Sequence, residues 1–247
     1  MGGDIVFKIE YTDSVKTIKL NVSEDNLEFI NGYAVVEKEL TETEMSLITT
    51  FSKRKIIIKG IVDETLKTIV PFKEDYDVID IFKNGNFIIT IKNQYGNTDI
   101  TRTRKIHYKY NKETDSLEEI TELPNKHYRI IDEDKIIITD SSSEQYNAIY
   151  DLEKGTIISN KFTSIEDFEN GKALATKEIN LGNLNASVYC YINKSGDIEK
   201  KIYNSLDNSY TDVDKDFNFE NYIENVKSDL IEKKAKIEND VKQLLKM

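Results

Sequence analysis

The chain has no tryptophan, one cysteine, two prolines and two histidines among 247 residues. Cys190, standing alone, can form no intramolecular disulfide. One thiol and two separated imidazoles, His107 and His127, also give no zinc-ligand spacing. Pro71 and Pro124 are too few for a Pro-rich linker. No run approaches the roughly 20 apolar residues that span a bilayer. The start, Met1-Gly2-Gly3-Asp4, lacks the basic region and apolar core of a secretory signal, and Val6 stands where myristoylation wants Ser or Thr. These absences predict a cytoplasmic protein. Nothing matches a P-loop, a dinucleotide fingerprint or a Gly-x-Ser-x-Gly elbow.

Positive charge is also scarce. Lysine and arginine number 34 against 45 aspartates and glutamates, a net charge of −11. Such a chain is a poor ligand for nucleic acid or an anionic membrane, which need clustered cations. Lys53-Arg54-Lys55 and Arg102 with Arg104-Lys105 are short, and each precedes an apolar run, so they read as strand flanks. Cys190 lies within Val188-Tyr189-Cys190-Tyr191-Ile192 and reads as a buried, inert thiol.

What the chain does contain is β pattern. Ile5, Phe7 and Ile9 alternate with Val6, Lys8 and Glu10; after Thr12-Asp13-Ser14, the segment from Val15 to Val22 completes a hairpin. Further strands are predicted at Ile56–Ile58, Thr68–Val70, Val78–Phe82, Phe87–Ile91, Lys105–Tyr110, Tyr128–Ile131, Lys135–Thr139, Ala148–Tyr150, Thr156–Ile158, Ala173–Ala175, Ser187–Ile192 and Ile198–Tyr203. Turn signals recur about every 8–12 residues, as in a sandwich, barrel or propeller. Thr41-Glu42-Thr43-Glu44 reads either as the capped start of a short helix or as a loop.

The strands fall into four degenerate units, near 29–72, 76–120, 128–158 and 162–203, within a β domain over 1–210. Each opens on a turn: Asn31-Gly32, Asn84-Gly85, Asp132-Glu133-Asp134 and Asn170-Gly171. Asn-Gly suits positive φ, and a unit of this size buries one face only against its neighbours. From 217 to 247 the pattern turns helical. Ile223, Leu230, Ile237 and Leu244 recur at every seventh residue, with Val226 and Val241 beside them. Lys233 and Asp240 spoil the second half of a coiled-coil seam. The stripe therefore packs onto the β domain, dimerises or docks a partner, and its four heptad residues are the candidate partner-binding positions.

These units resemble WG repeats, bacterial β-rich modules named for a Trp-Gly pair. Phe168-Glu169-Asn170-Gly171-Lys172-Ala173-Leu174-Ala175 looks like the opening half of a unit. Tyr189-Cys190-Tyr191-Ile192-Asn193-Lys194-Ser195-Gly196 looks like the second, with Tyr189 in the Trp place and Cys190 in the Gly place. The first unit is similar, from Phe29 to Val36 and then Lys59-Gly60-Ile61-Val62-Asp63, where Gly60 keeps the glycine. The signature Trp is missing from every copy, and the gaps between half-units are long and uneven. The resemblance covers roughly 29–203 and implies hairpins in series or in a propeller-like ring, without catalysis.

Acid pairs such as Asp75 with Asp77, Asp132 with Asp134, and Glu166 with Asp167 are what so acidic a chain always offers. Asp212, Asp214, Asp216 and Asn218 alternate like the start of a calcium loop, but Phe217 replaces its glycine and Ile223 its last ligand. An acidic linker feeding a helix N-terminus fits better. The expectation is an all-β repeat domain, propeller-like or a β-solenoid, with a C-terminal α-helix. It would serve as a non-catalytic protein-interaction module or scaffold without cofactor or metal, its partner being another protein or a second copy. The alternatives are a carboxylate-dependent hydrolase on a propeller and a structural assembly subunit.

Overall fold

The computed structural model describes residues 2–11, 14–23, 27–40, 57–94, 101–124, 127–141 and 145–245. The segment from Thr41, which reads either as a short helix or as a loop, and the basic run Lys53-Arg54-Lys55 lie outside them. The chain divides into two compact units, Met1–Lys126 and His127–Met247. Among the described residues every strand pairing is antiparallel. The described residues form one two-stranded hairpin and four sheets of three to five strands, followed by one α-helix.

In the first unit, β1 (Gly2–Tyr11) and β2 (Ser14–Ser23) form the expected hairpin. The next sheet is β3 (Tyr33–Glu39), β4 (Ile57–Asp63) and β5 (Thr68–Lys73). It is followed by β6 (Tyr76–Ile81), β7 (Asn86–Gln94), β8 (Thr101–Asn111) and β9 (Ser116–Glu122). The turn before β3 is the one its Asn-Gly pair predicts. Asn31 and Gly32 both have left-handed φ, 52° and 85°, and Ile30 and Tyr33 exchange backbone hydrogen bonds across it. Asn84 and Gly85 repeat that conformation before β7. Tyr33, Ile61, Val70, Phe87, Ile89, Ile106 and Tyr110 belong to one buried cluster.

In the second unit, β10 (Tyr128–Asp132), β11 (Lys135–Asp140), β12 (Tyr146–Asp151) and β13 (Thr156–Ile157) form one sheet. The other is β14 (Ser164–Ile165), β15 (Lys172–Leu181), β16 (Leu184–Asn193), β17 (Ile198–Asn204) and β18 (Ser209–Asp212). Strand alternation sets its faces. Ala173 and Ala175 on β15 and Val188, Cys190 and Ile192 on β16 are buried, and they share a cluster with Ile137, Ile149 and Phe162. The small alanines let the layers approach closely.

Helix α1 (Phe219–Leu244) starts two residues after the Phe217 that the pattern suggests. The reason is local. Asn218 stays extended and its side chain accepts the Asn221 N–H, capping the first turn. Phe217 then packs against Tyr222, with ring centroids 5.6 Å apart, as a hydrophobic staple does from either side of a cap. No helix among the described residues is long and apolar enough to cross a membrane.

Candidate interaction surface

The heptad residues divide sharply. Phe219, Ile223, Val226 and Leu230 are buried in the core of the second unit, and α1 packs against β15 and β16. Burying side chains of this kind is worth about 1.5–3 kcal/mol each. Ile223 and Leu230 therefore anchor the helix to its own sheet. Ile237 and Leu244 are not covered; they are 44% and 71% exposed, with Val241 and Leu245 exposed beside them. Residues seven apart drift by only about 20° around a helix, so the exposed and buried positions lie on one stripe. After Leu230 the apolar contact with the sheet ends; Lys233 Nζ still donates to the Leu206 carbonyl at 3.4 Å and Lys234 approaches the Gly182 turn, while the apolar face of the helix continues into solvent.

A second apolar surface lies on the outward face of the five-stranded sheet. Thr176, Tyr189, Tyr203 and Tyr210 are partners in strand register from β15 to β18. The Tyr189 and Tyr203 rings are 6.0 Å apart, and those of Tyr203 and Tyr210 are 5.0 Å apart. Tyr210 is 70% exposed, and Tyr191, two residues along β16 from Tyr189, is also exposed. Aromatic side chains on an exposed sheet give large contact area at low entropic cost and anchor interfaces well. The row was invisible in sequence, because the three tyrosines come together only through hairpin register. Lys172 with Glu199 and Lys201 with Asp212 place ion pairs on the same sheet.

The chemical candidates have structural placements. Cys190 is buried, and burial pushes its thiol up to about 12. Iodoacetamide at neutral pH should therefore leave Cys190 unlabelled in the folded chain and modify it promptly in denaturant. Equal labelling rates by mass spectrometry would show the thiol to be accessible. His107 is fully buried, with Nε2 3.0 Å from Asn86 Oδ1, and the Asn86 amide donates to the Lys83 carbonyl. Four of the six paired acids meet cations, Asp77 with Lys92, Asp132 with Lys194, Asp134 with Lys135 and Asp167 with Arg129, while a buried oxygen of Asp75 has no hydrogen-bond partner among the described residues. In the acidic linker, Asp212 pairs with Lys201, Asp214 accepts the Asp216 N–H, and Asn218 is the helix cap. Comparison with protein-family models and with curated proteins finds no match.

Proposed function

We propose that this protein is a non-catalytic interaction module or scaffold, built from WG-like β repeats in a propeller-like or solenoid arrangement, and that it docks another protein on the distal half of α1. The observation that carries the reading is the division of one helical stripe. Its first half is spent on the protein's own core, while Ile237, Val241, Leu244 and Leu245 extend it uncovered. Large apolar side chains clustered on an exposed face mark interaction sites more often than a scattered few do. The exposed tyrosines lie on the same unit. The repeat reading is supported by the sheet boundaries, since the four larger sheets span 33–73, 76–122, 128–157 and 164–212.

The test is affinity capture from host lysate with the intact chain and with an Ile237→Glu, Leu244→Glu double variant. The two should have the same circular dichroism, because neither position is in the core. A protein retained by the wild type should be at least tenfold depleted with the variant. Sedimentation of both at several concentrations separates a second copy from a foreign partner. Identical captured proteins, with a concentration-independent monomer in both cases, would remove α1 as the docking site.

A further inference from the structure

We propose a phosphate-binding site in the first unit, in the cleft where its two Asn-Gly turns meet. The site is independent of the docking surface on α1. The cleft, of about 270 Å³, is lined by Asn31, Tyr33, Lys83, Asn84, Gly85 and Lys112. That is below the roughly 300–1,000 Å³ typical of pockets for drug-sized molecules, so it suits a small group. In so acidic a chain, two lysines here make a local basic spot.

The second observation is the Tyr33 hydroxyl. Tyr33 is 1% exposed, and its hydroxyl has no hydrogen-bond partner among the described residues. Buried hydroxyls are nearly always partnered, and an orphan is costly. The ring is held edge-on by Phe87 and Tyr110, with centroids 5.2 and 6.2 Å away. The hydroxyl reaches the Gly85 turn, where a β-carbon would stand 3.4 Å from it. Lys112 Nζ lies 5.2 Å from the ring centroid. Rotating this exposed lysine off the ring lets its ammonium meet an anion while the hydroxyl donates to one of the anion's oxygens. The Lys112 ammonium and the Tyr33 O–H donor, in a cleft that the Lys83 side chain also lines, suit an anion with several acceptor oxygens, such as phosphate, better than a carboxylate. Glu64 is the acid that approaches the Gly32 turn, 3.8 Å from a β-carbon built there, and it weakens the local field without occupying the cleft. A neighbouring cleft of about 630 Å³ shares Asn84 and Lys112 and is also lined by Lys109, Glu113 and Glu118, so it has room for the uncharged organic part of a phosphate ester and would oppose a second anionic group there.

The experiment is calorimetric titration of inorganic phosphate into the full chain at low ionic strength, with Tyr33→Phe and Lys112→Gln in parallel. A single saturable site should appear, weakened about tenfold by Tyr33→Phe, the size of one hydrogen bond to a charged group. Lys112→Gln should weaken it comparably and reduce its salt dependence. Without phosphate, Tyr33→Phe should melt no lower than the wild type, because it loses only an unpartnered hydroxyl. Glycerol 2-phosphate identifies the source: tighter binding than phosphate assigns an ester, weaker binding the free ion. No saturable binding at millimolar phosphate overturns the proposal. So does wild-type affinity in Tyr33→Phe, which would place the ion on surface lysines. Should Tyr33→Phe fail to fold, unchanged affinity in Lys112→Gln is equally fatal.

Discussion

Leu230→Ala should destabilise the second unit by about 2–5 kcal/mol, while Leu244→Ala on the same helical stripe should change stability by less than about 0.5 kcal/mol. Leu230 is 1% exposed, in the cluster that joins α1 to β15 and β16. Removing three carbons there loses transfer energy and leaves a cavity between helix and sheet. Domains are stable by only about 5–15 kcal/mol, so the loss is a large share of the total. Leu244 is mostly in water already. Alanine there keeps the helix propensity and creates no cavity. Urea denaturation of both variants, followed by circular dichroism, separates the cases, and a thermal melt should fall by roughly 10 °C for Leu230→Ala alone. Equal losses from the two substitutions would mean that the distal half of α1 is also packed, and the exposed stripe would then offer no docking surface.

Gly196→Ala should cost about 2–5 kcal/mol, and Gly171→Ala about 1–2 kcal/mol, although both glycines close turns with left-handed φ near +85° and +82°. The backbone term is shared, since alanine resists positive φ. The steric term is not. A β-carbon on Gly196 would stand 2.6 Å from the Ile158 carbonyl oxygen and 2.9 Å from the Ser159 Cα, so backbone would have to move. A β-carbon on Gly171 meets nothing within 4 Å. Gly196 also belongs to a tied turn between β16 and β17. Its N–H donates to the Asn193 carbonyl, and the Asn193 side chain accepts from the Ser195 and Asp197 N–H groups. Displacing it loosens those bonds too. Denaturant midpoints of the two single variants give the comparison directly. A loss at Gly171 as large as that at Gly196 would show that backbone conformation alone sets the cost.

The β strands were legible where short β-branched runs stood between turn signals. Tyr128–Asp132, Lys135–Asp140 and Ile198–Asn204 lie within a residue or two of their expected positions. Strand β15 was underestimated, because Lys177, Glu178 and Asn180 interrupt the apolar pattern between Ala175 and Leu181. Its long pairing with β16 depends on the hairpin at Gly182-Asn183, where Gly182 has a φ of 69°. The Asn-Gly turns were legible because their conformation is a local property. The Tyr33 hydroxyl and Lys112 were not, since nothing local distinguishes a partnered tyrosine from an orphaned one.

The seven-residue period of Ile223, Leu230, Ile237 and Leu244 determined by itself that a helix ends this sequence and that its apolar groups share a stripe. Covalent periodicity is enough for that, because 3.6 residues per turn fixes which side chains are neighbours. Alternation likewise marked the apolar side of β16, whereas β11 and β12 are buried at three or more consecutive positions. Tertiary structure decided how far the stripe is covered. Leu230 meets the sheet, while the next two heptad positions extend roughly 21 Å further along the helix and remain exposed. It also decided that Tyr189, Tyr203 and Tyr210 form one row. Both outcomes depend on long-range strand register and on where the sheet stops. A local pattern carries no information about either, because the same apolar residue reads identically whether or not another element lies above it.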